Sequence, residues 1–262
     1  MSLRNKLANY SMRNNLVSII TPSYNSSRFI VECVNSVISQ TFQNWEMIIV
    51  DDCSNDNSKD IISDLSAKDE RLQSIFLEEN VGAAEARNLA IKQSKGKYIA
   101  FLDSDDIWNE DKLEKQIAFM SKNDIVFSFT SYQQISEDGI EKYSIMKAPK
   151  EITYHSYLRN TSIGCSTVVI DKDNSGEFDM PSIRSSHDMA LWLLIMKRGF
   201  PAYGLNENLA YYRIVSTSNT SRKWKAAKDV WDVYRKEEDL NILYSIYCFL
   251  GYAFNAIKKR LY

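Results

Sequence analysis

Residues 98–108 read Tyr-Ile-Ala-Phe-Leu-Asp-Ser-Asp-Asp-Ile-Trp and join an apolar run to a cluster of acidic side chains. The first five residues are continuously apolar, which is typical of a strand buried on both faces of a sheet. Three carboxylates, Asp103, Asp105 and Asp106, then follow within four positions. The sequence therefore predicts a central strand that ends in negative charge.

The acidic cluster favours a metal site. In an extended backbone, Asp103 and Asp105 point to the same side and Ser104 points away. Carboxylates that lie so close together raise one another's pKa unless a cation lies between them. A hard divalent ion with oxygen ligands, Mg²⁺ or Mn²⁺, is the expected occupant, with its other positions open to a diphosphate. The alternative is a polar strand end, with Asp106 or Asn109 capping the next helix.

Strands and helices alternate along the first half of the chain. Apolar runs typical of strands cover residues 16–20, 45–50, 72–77 and 98–102, and helical patterns lie between them. This alternation predicts a doubly wound, mostly parallel α/β sheet, whose ligands bind beyond the carboxyl ends of the strands. Polar clusters stand at those ends, in residues 21–25, 51–52, 80–82 and 103–106. We expect them to converge on one crevice.

Four ordered segments resemble the successive motifs of family-2 glycosyltransferases. They read Pro-Ser-Tyr-Asn at 22–25, Val-Asp-Asp-Cys-Ser-Asn-Asp at 50–56, Glu-Asn-Val-Gly at 79–82 with Ala-Arg-Asn at 86–88, and Phe-Leu-Asp-Ser-Asp-Asp at 101–106. The resemblance covers residues 16 to about 215. It implies the GT-A fold and an inverting glycosyl transfer from a nucleotide sugar, with UDP as the expected nucleotide.

The same resemblance assigns a donor site. The implied nucleotide contacts are Pro22, Tyr24, Asn25, Asp52, Arg87 and Ser104, and the implied ligands of Mn²⁺ or Mg²⁺ are Asp103 and Asp105. Tyr24 offers a ring face for a base, and Asp52 can accept the imide N–H of uracil. Arg87 supplies a fixed cation near phosphate. The alternatives are that Tyr24 packs in a turn and that Arg87 pairs with Glu85 or Asp52.

Cys53 departs from the family pattern, because the family usually has Gly at this position. If the position needs a positive φ, a cysteine there strains or reshapes the turn beside Asp52.

A second resemblance points to the catalytic base. Residues 185–192 read Ser-Ser-His-Asp-Met-Ala-Leu-Trp and resemble the family's E-D-x-x-L-W helix start, whose Asp is the base. Asp188 falls on that Asp, and a helix N-terminus keeps a carboxylate ionised and ready to accept a proton. His187 replaces the Glu and is the rival base or an acceptor contact, because it titrates near neutrality. The alternative is that Asp188 or Ser186 only caps the helix.

Three further residues are acceptor-side or secondary candidates. Trp192 matches the Trp of the helix motif, and Ser166 lies in a strand-like run at residues 163–170 whose family counterpart sits near the acceptor sugar. A plain core strand competes with that interpretation of Ser166. Arg213 ends a strand that resembles the family's Y-R strand. In the family a His usually follows, and Val215 takes its place here. A pyrophosphate contact from this loop would therefore have to come from Arg213 or a serine.

The chain becomes more basic from residue 222. Residues 222–262 contain nine Lys or Arg and five Asp or Glu. We expect residues 1–221 to form the catalytic domain and residues 222–262 a helical extension. Residues 240–257 are apolar on nearly every side, and Lys-Lys-Arg follows at 258–260. This pattern predicts that residues 240–262 contact an anionic membrane surface peripherally. A helix packed on the catalytic domain or on a second copy fits as well.

Composition places the chain among ordinary globular proteins. It has 262 residues, 44% hydrophobic and 25% charged, and a net charge of −2 that gives no reason to expect nucleic acid. Four scattered cysteines without a CxxC, no signal-peptide pattern and no long apolar stretch favour a cytoplasmic location, with peripheral contact at the inner membrane. Oligomerisation is left open.

The sequence as a whole predicts a metal-dependent, inverting transfer of a hexose from a UDP-sugar. The acceptor would be a hydroxyl of a saccharide or a lipid-linked saccharide in cell-surface polysaccharide synthesis. Two other classes stay open, namely a nucleotidyltransferase, whose Gly-rich phosphate loop is missing here, and a non-catalytic sugar-nucleotide-binding protein. A glycosidase is disfavoured because a hydrolase has no use for a nucleobase pocket.

Overall fold

The computed structural model describes residues 15–183, 185–215 and 223–261. In the first half, strand and helix alternate as β1 (Val17–Ser23), α1 (Ile30–Ile38), β2 (Trp45–Asp51), α2 (Ser58–Ser66), β3 (Leu72–Phe76), α3 (Ala83–Gln93) and β4 (Tyr98–Phe101). β1 lies between β2 and β4 and pairs with both in parallel, and β3 pairs in parallel with β2. The predicted parallel α/β sheet is confirmed for this half.

The second half adds mixed pairing to the sheet. Its elements are β5 (Ile107–Trp108), α4 (Lys112–Lys122), β6 (Phe127–Ile135), β7 (Lys142–Met146), β8 (Glu151–Ile152), α5 (Tyr154–Tyr157), a 3₁₀ turn (Cys165–Thr167), β9 (Val169–Asp171), α6 (Lys172–Ser175), α7 (His187–Lys197) and β10 (Ala202–Arg213). The strand order is β3-β2-β1-β4-β9-β6-β10-β5, with β7 beside β6 and β8 beside β10. β9 is antiparallel to both β4 and β6, and β10 is parallel to β6.

The strand-like run at residues 163–170 is mostly not a strand. Only its last two residues belong to β9, and the 3₁₀ turn occupies its centre, where the amide of Val168 donates to the carbonyl of Cys165 at 3.1 Å. The turn puts Ser166 under the acidic cluster that follows β4, as the hydrogen bonds below show.

Continuous apolar strands form the core because both faces of the sheet are covered. Along β2, Ile48 and Val50 belong to one hydrophobic cluster, and Met47 and Ile49 belong to the other. Alternate side chains of a strand point to opposite faces. An unbroken apolar run is therefore what a strand between two helical layers requires.

Trp192 lies in the core rather than at the acceptor. Its side chain has no exposed surface, and its ring centroid lies 5.3 Å from those of both Phe101 and Phe127. The expectation that Trp192 contacts the acceptor is wrong, because an aromatic side chain of this size stabilises the joint between α7 and the sheet by burial.

The C-terminal segment comprises α8 (Lys223–Asp232), a π-helical turn (Val233–Glu237) and α9 (Ile242–Leu261). Val233, Tyr234 and Cys248 are fully buried in the same cluster as Trp192, so this segment packs on the catalytic core. The boundary predicted between residues 221 and 222 lies outside the described residues. No helix in the described part of the chain is long and apolar enough to cross a bilayer.

Candidate active site

The acidic cluster after β4 is a tight turn. The amide of Asp106 donates to the carbonyl of Asp103 at 3.0 Å, which closes a reverse turn over Ser104 and Asp105. The extended backbone that the sequence argument assumed is therefore wrong at this point. The turn still leaves the carboxylates of Asp103 and Asp105 close enough for each charge to affect the other.

Asp106 belongs to the support of this turn and not to a helix cap. Its carboxylate is 1% exposed and accepts from the Ser166 hydroxyl at 2.5 Å and from the Arg213 amide at 2.9 Å. Burial and then the charges of Asp105 and Asp103 raise its pKa well above the ordinary value. α4 begins only at Lys112, so capping by Asp106 is excluded as an explanation of the cluster.

Ser166 holds the acidic turn from below. Besides donating to Asp106, its hydroxyl accepts the amide of Asp103 at 3.1 Å, and the residue is 5% exposed. The expected acceptor contact through Ser166 is wrong for this arrangement, because the residue is buried and the one proton of its hydroxyl is donated to Asp106.

Arg213 holds the same turn from the side. Its guanidinium donates to the Asp105 carbonyl at 2.8 Å and to the Glu137 carbonyl at 2.8 Å, and pairs with Glu32 at 2.5 Å. The residue is 2% exposed. A buried guanidinium needs such partners to offset its lost hydration. The expectation that Arg213 contacts pyrophosphate or acceptor is wrong, since these partners already engage all three of its nitrogens.

Arg87 connects α3 to the acidic turn and to α7. Its guanidinium forms an ion pair with Asp103 and contacts Nε2 of His187 at 2.7 Å. The alternative pairing with Glu85 or Asp52 is wrong. Because a guanidinium can only donate, Nε2 of His187 must accept, which makes this imidazole neutral. Burial and then the charge of Arg87 lower the pKa of His187.

Asp105 is the least compensated carboxylate of the turn. Burial and then the charge of Asp103 raise the pKa of Asp105 to about 6. No side chain of the described residues donates a hydrogen bond to it. Two adjacent hard oxygen ligands with excess negative charge fit Mg²⁺ or Mn²⁺. In the described ranges no three His, Cys, Asp or Glu side chains are arranged so that they could together hold a metal ion, so further ligands would come from the substrate and water.

Asp188 is the second residue of α7 and directly follows His187, which Arg87 contacts. One of its oxygens accepts the amide of Met189 at 2.8 Å, and its charge acts on Arg87. The N-cap of the helix is Ser186, whose side chain makes no capping bond. Capping therefore does not account for Asp188, and the structure brings it together with Arg87, His187 and the acidic turn.

The nucleotide-side candidates lie at the ends of β1 and β2. Pro22 pairs with Val50 inside the sheet, and Tyr24 follows with half of its surface exposed. Asn25 joins two loops. Its backbone amide donates to the Ser54 hydroxyl, and its side-chain Oδ1 accepts the backbone amide of Asn55, both at 2.8 Å. Asn25 therefore shapes the rim, and Tyr24 is the side chain that presents a free ring.

Asp52 fixes the start of α3. Its two carboxylate oxygens accept the amides of Val81 at 2.7 Å and Gly82 at 2.9 Å. This ties the end of β2 to the helix that carries Arg87. Cys53 has φ +60°, so this position does need a positive φ, and a cysteine strains the turn there.

Comparison with known proteins decides the family. The model of "Glycosyl transferase family 2" matches residues 18–172. The chain belongs to glycosyltransferase family 2. It is 51% identical over 94% of its length to a Bacillus subtilis protein named as a teichuronic acid biosynthesis glycosyltransferase, TuaG, and covers 98% of it. It is 40% identical over 96% of its length to the Escherichia coli UDP-Glc:alpha-D-GlcNAc-diphosphoundecaprenol beta-1,3-glucosyltransferase WfgD, and covers 97% of that protein.

Solved structures show the GT-A fold predicted from the motifs. S. aureus TarS 1-349 in complex with UDP-GlcNAc superposes with a TM-score of 0.70 at 23% identity, over 91% of this chain and 71% of that one. The mannosyltransferase PcManGT from Pyrobaculum calidifontis, in complex with GDP-Man and Mn²⁺, superposes with a TM-score of 0.66 at 15% identity, over 94% of this chain and 75% of that one.

This glycosyltransferase also uses residues that the motifs did not reveal. Glu32 and Glu137 bind Arg213 from positions far away in the sequence, and Asp51 accepts from Ser23 and Ser54 beneath the β1 loop. Only Asp51 had a sequence signal, since it stands beside Asp52 at a strand end. The two glutamates are surface-type residues in the sequence, and only the fold shows their contacts.

Proposed function

We propose that this enzyme transfers a hexose from a UDP-sugar to a hydroxyl of a lipid-diphosphate-linked saccharide, with inversion, in cell-surface polysaccharide synthesis. The observation that carries the proposal is that Arg87 contacts both Asp103 of the acidic turn and His187, the residue directly before Asp188. The relatives named above support the chemistry, because WfgD is named for a UDP-Glc donor and a diphosphoundecaprenol-linked acceptor.

Asp188 is the base in this proposal. It removes the proton of the acceptor hydroxyl while that oxygen bonds to the anomeric carbon, and the bond from that carbon to the UDP oxygen breaks. The proton ends on Asp188 and the electron pair on UDP. His187 is a poor rival, because Arg87 donates into its Nε2 and its pKa is lowered.

Asp103 and Asp105 would hold Mg²⁺ or Mn²⁺. When bound, a divalent ion supplies positive charge for the diphosphate that leaves. The protein contributes two oxygen ligands on one turn, and Ser166 and Arg213 fix that turn. Mn²⁺ in the complex of the Pyrobaculum enzyme supports a divalent ion here.

The nucleotide would lie along the ends of β1 and β2. Tyr24 would stack on the base, with Pro22 and Asn25 as the rim of the pocket and Ser104 facing the phosphates from the acidic turn. Asp52 would accept the uracil N–H through a lone pair that its bonds to Val81 and Gly82 leave open, since a carboxylate has four acceptor positions.

Peripheral membrane contact of residues 240–262 would bring the enzyme to a lipid-linked acceptor. α9 exposes Leu243, Tyr247, Leu250 and Phe254 by 77, 53, 65 and 69%, at spacings that place them along one side of the helix. A location on the cytoplasmic face of the inner membrane would follow from this contact.

A UDP-release screen across UDP-sugars, with Mn²⁺, Mg²⁺ or EDTA, tests the proposal. The expected result is slow, metal-dependent hydrolysis of one preferred donor. Pyrophosphate in place of UDP would indicate nucleotidyl transfer. Equal activity in EDTA would overturn the metal assignment, and turnover of GDP-sugars alone would overturn the choice of UDP.

A further inference from the structure

Two spaces beside α9 share Asn160 in their lining. One, of about 370 Å³, is also lined by Arg159, Tyr247 and Leu250. The other, of about 340 Å³, is also lined by Tyr132 and Tyr252. Arg159 and Asn160 therefore lie beside the exposed apolar side of α9.

Tyr132 relates the second space to the acidic turn. It also lines a narrow crevice with Asp106 and Ser166, the two residues that support the turn. The second space therefore lies beside the support of the acidic turn.

Arg159 is the cation of this surface. One of its guanidinium nitrogens donates to the Tyr247 hydroxyl at 2.9 Å, and its Nε donates to the His155 carbonyl at 3.2 Å. α9 reaches Arg159 closely because Gly251 faces its stem, where a Cβ would lie 3.0 Å from that of Arg159. No carboxylate of the described residues lies within salt-bridge distance of Arg159. The guanidinium is thus held in place without an anionic partner.

Asn160 provides an independent sign of a ligand. Its Oδ1 is buried, and no donor in the described part of the chain reaches it. A buried carbonyl oxygen without a partner costs about 1–3 kcal/mol unless a ligand or water donates to it. Tyr132 and Tyr252 add aromatic surface to the second space. Amide groups beside aromatic rings are suited to the hydroxyls and apolar faces of a sugar.

We infer that these two spaces form the acceptor subsite, with Arg159 binding the diphosphate and Asn160 the sugar of a lipid-linked acceptor. The lipid chain lies against the apolar side of α9. The inference rests on the proposed function, because it takes a lipid-diphosphate-linked acceptor as given. It adds the residues that select a diphosphate.

The test is flotation of the full chain with phosphatidylcholine vesicles that contain a long-chain isoprenyl diphosphate, the corresponding isoprenol, or phosphatidylglycerol. Wild-type protein is expected to bind the diphosphate vesicles better than the isoprenol vesicles. Arg159→Gln should lose about tenfold of that binding, the size of one charge-assisted contact, and Arg159→Lys should restore part of it. Lys122→Gln removes an exposed charge on α4 and is the matched control, expected to bind as wild type.

Two outcomes would overturn the subsite. Wild-type binding by Arg159→Gln would exclude Arg159 as the diphosphate contact. An equal loss on phosphatidylglycerol vesicles would make Arg159 a general headgroup contact and not part of an acceptor site. Leu250→Glu separates the lipid contact from self-association: loss of a dimer in this variant would show that a second copy covers α9.

Donor hydrolysis by the wild-type enzyme keeps the two proposals apart. If no UDP-sugar is hydrolysed while Arg159 still selects diphosphate vesicles, the proposed function fails and the subsite stands. If a UDP-sugar is hydrolysed and Arg159→Gln floats normally, the subsite fails and the proposed function stands.

Discussion

Two acidic pairs end the two strands that flank β1, and they differ in how their charge is compensated. Asp51 and Asp52, at the end of β2, accept from hydroxyls and backbone amides on every carboxylate oxygen. Asp103 and Asp105, at the end of β4, have one ion pair from Arg87 between them, and the pKa of Asp105 is raised to about 6 by burial and by Asp103.

The difference shows that a place at the carboxyl end of a strand does not by itself make an aspartate catalytic. Asp52 braces β2 against the start of α3, and Asp51 braces it against Ser23 and Ser54. Excess negative charge leaves the second pair in need of a cation. The same substitution, Asp to Asn, should therefore destabilise the fold at Asp52 and stabilise the metal-free protein at Asp105.

Asp105→Asn is expected to have the largest effect on activity. An amide is a weaker ligand for a hard divalent cation and carries no charge, so donor turnover should fall on the order of 10³-fold. UDP release at saturating Mn²⁺ measures it. The exposed Asp64→Asn on α2 is the control. Activity within a few-fold of wild type would remove Asp105 from the metal site.

Asp188→Asn should lower glycosyl transfer by roughly 10²–10³-fold through loss of the base, while donor binding stays unchanged. His187→Gln should cost far less, since Gln can still accept from Arg87 through its carbonyl oxygen. Steady-state rates with titration of UDP distinguish the two. The reverse ranking would make His187 the base.

Asp52→Asn should destabilise the fold by about 1–3 kcal/mol, because its amide NH₂ would face one of the backbone amides of Val81 and Gly82. Chemical denaturation monitors the loss. Unchanged stability would show that these two hydrogen bonds contribute little.

Asp105→Asn should instead stabilise the metal-free protein by up to about 3 kcal/mol at pH 7. The pKa of Asp105 is raised from its ordinary value to about 6, so the folded state binds more protons than the unfolded state between those two values. Stability contributed by Asp105 therefore falls as pH rises through this window. The gain of the variant should shrink towards pH 4, and a gain independent of pH would contradict this origin.

Cys53→Gly should give the smallest change, a stabilisation of about 0.5–1 kcal/mol, because Cys53 has φ +60° and glycine adopts that region without strain. Ser63→Gly, in the middle of α2, should lose a similar amount and controls for the flexibility of glycine. Thermal unfolding of both variants gives the comparison, and a loss in both would mean that the Cys53 turn is not strained.

The motifs predicted the sheet and the meeting of Arg87, Asp103, Asp105 and Asp188, because apolar runs and strand ends are local features of the sequence. They did not distinguish residues that face a ligand from residues that support them. Ser166, Trp192 and Arg213 all match positions near the site, yet each is buried by partners distant in the chain. Which polar side chain is already engaged depends on tertiary contacts, and no spacing rule encodes these.

The shared guanidinium of Arg87 has a consequence for how the pocket first meets its substrate. Because it pairs with Asp103 and contacts His187 at once, a fixed cation already stands in the cleft. In the proposed reaction, Arg87 would exchange the Asp103 carboxylate for a phosphate oxygen of the donor. Recognition would then begin as an exchange of ion-pair partners at one guanidinium.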